Sequence, residues 1–215
     1  MVAGLRRSIE AVFAVLVLAL CVPMLVLLAA GTAVSLRAWP FFTQVRDGLH
    51  GVPFRIVKLR TLPRSTAQGA TKYELATADL PWFCRTIRRL HLDEIPQLWL
   101  VVTGKMSLVG PRPEMPHLHD HLYGDFARAR TTVRPGCTGL WQIGQHCSRM
   151  IYEHPEYDEF YLAHRSLRVD TWIVARSFRL MLPFGNRELV TLANVPAWAV
   201  KPRNNATSLQ PADAA

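Results

Sequence analysis

Between residues 11 and 30 the chain has no charged side chain and is almost wholly apolar. About 20 residues of helix cross a bilayer's hydrocarbon core, and no other run here is long enough to do so. This argues against a polytopic membrane protein. Three fates of the run compete. A cleaved signal peptide would use Arg6 and Arg7 as its basic end and small residues near Ala29–Thr32 for cleavage, but the run is long for that and shows no clean A-x-A site. A plain transmembrane anchor is the second. The third is a re-entrant helix that enters and leaves on one face. Pro23 removes a helical hydrogen bond inside the run and kinks it there. Basic residues flank both ends, Arg6 and Arg7 before and Arg37 and Arg46 after. The positive-inside rule puts both flanks in the cytoplasm, which a helix bent at Pro23 satisfies and a single span does not. Proline is also common in ordinary membrane helices, so the kinked span stays open.

The remainder is compatible with one soluble domain. Of 215 residues, 50% are hydrophobic and the mean hydropathy is +0.10, which excludes disorder for the chain as a whole. Net charge is +9, and the 25 basic residues are 21 Arg and only four Lys. Arginine's planar fork binds phosphate bidentately, so this bias suits nucleic acid, nucleotides or anionic headgroups. Genomic base composition explains the bias equally well. Cys21, Cys84, Cys137 and Cys147 form no CxxC pair and read as free thiols.

Periodicity predicts a strand over residues 52–62, a loop over 63–69 and a returning strand over 71–75. Asp79 is the expected N-cap of a helix over 80–90. A second helix is expected from Asp93, with Pro96 in its first turn and Gly104 as its stop. Residues 155–164 read as a helix, and Asp170 as the cap of another over 171–182. That last helix carries Trp172, Phe178, Arg176 and Arg179, a pattern that fits a membrane surface or a domain helix packing inward.

Three constellations carry chemistry. Arg85, Arg88 and Arg89 stand at i, i+3 and i+4, which places them on one helical face. Asp93-Glu94 follows at the expected start of the next helix. A carboxylate there is either a cap, a ligand for Mg²⁺, or a nucleophile toward phosphorus. In the run Ser107 to Pro113, Pro111 and Pro113 hold Arg112 on a stiff, extended arm. Arg134-Pro135-Gly136 repeats that theme.

The stretch Leu90 to Pro113, LHLDEIPQLWLVVTGKMSLVGPRP, resembles the signature of bacterial sugar transferases, the monotopic phosphoglycosyl transferases that start glycan assembly. The likeness continues upstream over Gly51–Thr61, downstream over Arg134–Gln142, and through Asp158–Tyr161 to Asp170. It covers roughly residues 4–182.

The resemblance implies an α+β, predominantly helical fold. A re-entrant membrane helix broken at Pro23 (1–37) would precede a small cytosolic catalytic domain (38–185) with a short β-hairpin and membrane-surface amphipathic helices. An extension (186–215) would follow, disordered after about 201. It implies transfer of a sugar-1-phosphate from a nucleoside diphosphate sugar, usually a UDP-sugar, to a polyprenol (undecaprenyl) phosphate, releasing UMP. Asp93 would be the nucleophile that becomes phosphoglycosylated, and Glu94 would help organise it or Mg²⁺. Lys58, Arg88, Arg112 and Arg134 would hold phosphates. The protein would sit in the bacterial inner membrane with its site on the cytosolic face, and no nucleic acid would be a partner.

Some positions depart from the family pattern. Val22 stands where many members have Ser before the proline. Gln145 and His146 fall where a Gly-Arg pair is common, Leu100 replaces an Asn, and Lys105 an Asp. Rival readings are a non-catalytic, membrane-anchored scaffold that binds anions, or a hydrolase that shares the aspartyl step but passes the product to water.

Overall fold

The computed structural model describes residues 2–66, 79–118, 124–182 and 188–200. Helix α1 (Val2–Leu36) continues through Pro23 and is about 50 Å long at 1.5 Å per residue. Most of its surface is apolar and bare: Leu20, Leu27 and Val34 are all exposed. One side of it lies on the rest of the protein. Ala14 is fully buried in a small core with Ile56, Leu100, Val101 and Met106. Arg6 forms an ion pair with Asp170 at 2.7 Å, although Asp170 Oδ2 gains no well-aligned hydrogen bond. Near the other end, a Cβ on Gly31 would collide with the Phe83 ring. Both halves of α1 therefore touch the same domain.

Strands β1 (Phe41–Asp47) and β2 (Pro53–Leu59) form an antiparallel hairpin, with Phe42 opposite Lys58. Its turn needs left-handed backbone, which His50 and Gly51 supply. The expected strand is thus present but shorter, and its partner precedes it in the chain. The returning strand expected over 71–75 lies outside the described residues.

Helix α2 (Trp82–Arg89) follows Pro81 and has no side-chain cap; Asp79 is exposed beside Arg85 instead. Then come a 3₁₀ turn (Leu92–Gln97) and a short helix α3 (Leu98–Val102). Gly104, at φ +75°, ends it as expected.

Strands β3 (Ser107–Val109) and β4 (Gly136–Thr138) pair in parallel, so closely that a Cβ on Gly136 would strike the backbone nitrogen of Gly110. Helix α4 (Gly124–Thr131) is followed by α5 (Glu156–His164) and α6 (Leu167–Met181). The cap of α6 is Ser166, whose Oγ accepts from the Val169 amide at 3.3 Å. Asp170 is not the cap: it is buried, and accepts from Tyr161 Oη at 2.9 Å. The architecture is α+β and predominantly helical.

The main core gathers Trp141, Tyr157, Tyr161, Val169 and Ile173. Residues 188–200 complete it through buried Val190, Val195 and Ala199. The Val190 amide donates to the Ile143 carbonyl at 2.9 Å, and its own carbonyl accepts from Gln145 N and Tyr157 Oη. This segment thereby braces the turn at Gln145 and His146. Residues 201–215 lie outside the described part.

Candidate active site

Asp93 and Glu94 sit in the 3₁₀ turn, and the residue that aims them is His91. His91 adopts a left-handed conformation (φ +55°) uncommon for a residue with a Cβ. It breaks the path between α2 and the turn, so the two carboxylates project from a tight corner and not from a regular helix. Asp93 is therefore part of the turn itself, with His91 at the N-cap position.

Glu94 is clamped. Its Oε1 accepts from Lys58 Nζ at 2.5 Å and from Arg112 Nη2 at 3.3 Å. Lys58 comes from β2, and Arg112 from the arm between Pro111 and Pro113. Burial works against the Glu94 charge, but Lys58 and Arg112 outweigh it and hold the carboxyl well below its ordinary range. Burial likewise pushes the Lys58 ammonium down, with Glu94 opposing. Asp93 is the contrary case. It is 7% exposed, and burial, with Glu94's charge added, raises its pKa to about 6 against the pull of Lys58 and Arg88. Two adjacent carboxylates are thus driven apart: Glu94 is neutralised by cations, while Asp93 is poorly solvated and carries a raised pKa. Burial also pushes the His91 imidazole below its ordinary range, with Glu94 opposing.

These groups form the charged wall of a cavity of about 340 Å³, within the range of small-molecule sites. Lys58, Arg88, Asp93, Glu94 and Arg112 are all on its wall. Arg88 is oriented by Thr61, its Nη1 lying 3.2 Å from Thr61 Oγ1. The three arginines of α2 do not act together: Arg85 and Arg89 are exposed, and Arg85 turns back to the Leu80 carbonyl. Arg134 is also elsewhere. Its Nε donates to the Gly104 carbonyl at 2.9 Å, and it lines no part of this cavity.

Two residues of the wall were not singled out from sequence. His91 is one; nothing in its neighbours announces a left-handed histidine. Gln142 is the other. Its side-chain amide is buried with no protein partner on either Nε2 or Oε1. A buried unpaired amide is costly, and this one faces the cavity. Its place in the Arg134–Gln142 motif was the available signal.

The family model for bacterial sugar transferases matches residues 1–183. This chain belongs to that family. It is 34% identical over 191 residues to a UDP-glucose:undecaprenyl-phosphate glucose-1-phosphate transferase of Caulobacter vibrioides, covering 84% of this chain and 71% of the relative. It is 38% identical to the uncharacterized sugar transferase EpsL of Bacillus subtilis, over 66% of this chain and 69% of that one. A UDP-N-acetylgalactosamine-undecaprenyl-phosphate N-acetylgalactosaminephosphotransferase of Aeromonas hydrophila shares 31%, with 86% of this chain covered but only 45% of the longer relative. In this sugar transferase the matched region ends just before the segment 188–200 that braces the Gln145–His146 turn.

Proposed function

We propose that this sugar transferase moves a sugar-1-phosphate from a UDP-sugar to undecaprenyl phosphate through a phosphoglycosyl-Asp93 intermediate. The chain is a phosphoglycosyl transferase by family, and its relatives are named for UDP-sugar donors and undecaprenyl-phosphate acceptors. The observation that carries the covalent step is the divergence of the two carboxylates on one polar wall. A buried, weakly solvated Asp93 is suited to attack phosphorus, and the cation-bound Glu94 is not.

In the forward half, an Asp93 carboxylate oxygen bonds to the sugar-bearing phosphorus and the phosphoanhydride bond breaks. UMP leaves with the electron pair. In the second half a phosphate oxygen of the acceptor attacks the same phosphorus and frees the carboxylate. Lys58, Arg88 and Arg112 hold the diphosphate and the charge that develops on it. Arg134, tied to Gly104, supports the loop behind this wall.

Mg²⁺ fits this donor set as a cation carried by the diphosphate. Among the described residues no cluster of three or more His, Cys, Asp or Glu side chains is arranged for a metal. Magnesium is commonly held by one or two carboxylates plus phosphate oxygens, and Asp93 and Glu94 would be those carboxylates. Bound there, it would neutralise the diphosphate.

We place the site at the cytosolic face of the inner membrane. Both halves of α1 rest on the catalytic domain, and its basic flanks sit on either side of the apolar run. These features favour a re-entrant path over a span that leaves one end across the bilayer, although α1 continues through Pro23 as one helix. Exposed Phe178 and Leu182 at the end of α6 suit contact with the headgroup layer.

The test is UMP release by detergent-solubilised protein with Mg²⁺ and a panel of UDP-sugars, with and without undecaprenyl phosphate. Sustained release is expected only with acceptor, together with exchange of labelled UMP into the donor when acceptor is absent. Sustained release without acceptor would instead make the chain a hydrolase.

A further inference from the structure

Residues 141–150 run from β4 toward α5 without forming a helix or strand. Trp141, Gln142, Cys147 and Met150 of this segment line the cavity that holds Asp93. Its internal hydrogen bonds close only local turns. The Gly144 amide donates to the Trp141 carbonyl and the Cys147 amide to the Gly144 carbonyl, each at 3.0 Å. Such bonds set the shape of a loop but not its position. Position comes from Val190. Its amide donates to the Ile143 carbonyl at 2.9 Å and its carbonyl accepts from the Gln145 amide at 3.0 Å, so one buried residue pairs with both sides of Gly144. Tyr157, on α5, closes the arrangement. Its Oη donates to the same Val190 carbonyl at 3.2 Å, and its ring lies so near Gly144 that a Cβ there would come within 2.5 Å of Cε1. The segment 188–200 is itself anchored, by Val195 and Ala199 in the main core and by Arg176 Nη2, which donates to the Glu188 carbonyl at 2.8 Å.

We propose that residues 188–200 are a strap that positions the donor-facing wall of the catalytic cavity, with Val190 and Tyr157 as its positioning residues, so that affinity for the nucleotide sugar depends on them. The assignment rests on the transferase reading above. A UDP-sugar is longer than its diphosphate. Once Lys58, Arg88 and Arg112 hold the phosphates beside Asp93, the sugar and nucleoside extend onto the walls beyond them. The segment of Trp141, Gln142, Cys147 and Met150 is such a wall. A wall that shifts by about 1 Å forfeits much of its contact energy. Neither Val190 nor Tyr157 lines the cavity, so both act through the turn. The cationic wall stands apart from the strap, since Lys58 is on β2, Arg88 on α2 and Arg112 on the proline-flanked arm. Loosening the strap therefore weakens donor binding while leaving the chemistry of each bound donor nearly intact. The family match ends at residue 183, so a shared site is here tuned by residues outside the matched region.

The test is UDP binding, measured by calorimetry on full-length, detergent-solubilised protein with Mg²⁺. UDP carries the nucleoside and the diphosphate, so the transferred sugar need not be known. Val190→Gly removes the buried side chain and loosens the bonded backbone, and is expected to raise Kd at least about fivefold. Tyr157→Phe keeps the ring and every backbone bond but loses the phenol's hydrogen bond, and is expected to raise Kd about two- to threefold. Val169→Ala opens the same core at a residue with no bond to the turn. It should lower Tm as Val190→Gly does and leave Kd unchanged. Unchanged Kd in both strap variants would overturn the proposal, and so would an equal rise in Val169→Ala. If Val190→Gly does not fold, Tyr157→Phe decides in the same way. With a UDP-sugar that supports turnover, kcat/KM for the donor should fall and kcat/KM for the acceptor should hold. No UDP binding by the unmodified protein would strike the donor reading instead. The strap is then judged by maleimide labelling of Cys147, read by mass spectrometry. Faster labelling in Val190→Gly than in Val169→Ala supports it, and equal rates overturn it.

Discussion

Asp93→Asn is expected to abolish turnover, with a loss of at least about 10³-fold, while making the protein more stable at neutral pH. The activity loss follows because the amide cannot form the acyl phosphate. The stability gain follows from burial. Folding raises the Asp93 pKa to about 6, so the folded state resists the ionised carboxylate. For an acid shifted upward the cost is complete above the folded value and absent below the unfolded one. The variant's advantage should therefore be greatest above pH 6 and fade toward pH 4, close to the ordinary aspartate range. At about 1.4 kcal/mol per unit it is on the order of 1–3 kcal/mol. Thermal melts in metal-free buffer at pH 7.5 and pH 4 read this directly. A variant that keeps substantial turnover would remove Asp93 from the nucleophile's role. One that is less stable than the parent at pH 7.5 would show that Asp93 is a structural hydrogen-bonding residue.

Much of this site was legible because its chemistry is local in the chain. Asp93-Glu94 and Pro111-Arg112-Pro113 are short units whose stiffness and charge are visible without any fold. Lys58 was legible as a basic residue on a strand, but not as the partner of Glu94, since that contact joins residues 36 apart and depends on β1 pairing from the N-terminal side. Helical spacing grouped Arg85 with Arg88, yet only Arg88 reaches Thr61, because Cys84 and Ile87 set which side of α2 is buried. Asp170 looked like a cap because its type favours that position. The fold uses Ser166 there and spends Asp170 on Arg6 and Tyr161. His91 was not legible at all: its left-handed backbone is imposed by the corner between α2 and the 3₁₀ turn. The core's completion by residues 188–200 was hidden for another reason, since Val190 and Val195 follow no helical or strand period.

Asp158→Ala is expected to cost about 3–5 kcal/mol, lowering Tm by roughly 6–20 °C. Asp158 and Arg130 form a nearly inaccessible ion pair, with Arg130 Nε donating to Asp158 Oδ2 at 2.7 Å. Burial pushes the Asp158 carboxyl above its ordinary range even with Arg130 opposing it, so the intact pair contributes little net stability. The damage comes from leaving the buried guanidinium without its carboxylate. Arg130 also has a second task. Its Nη2 donates to the Arg112 carbonyl at 2.6 Å, fixing the arm that carries Arg112 to Glu94. These two tasks can be separated. Replacing both partners with apolar residues, Asp158→Leu with Arg130→Met, removes the buried charge and should recover most of the lost Tm. It cannot restore the bond to the Arg112 carbonyl, so turnover should stay depressed, with kcat falling more than the donor KM rises. Recovery of Tm and turnover together would show that the pair is structural only and that the proline-flanked arm holds Arg112 in place unaided.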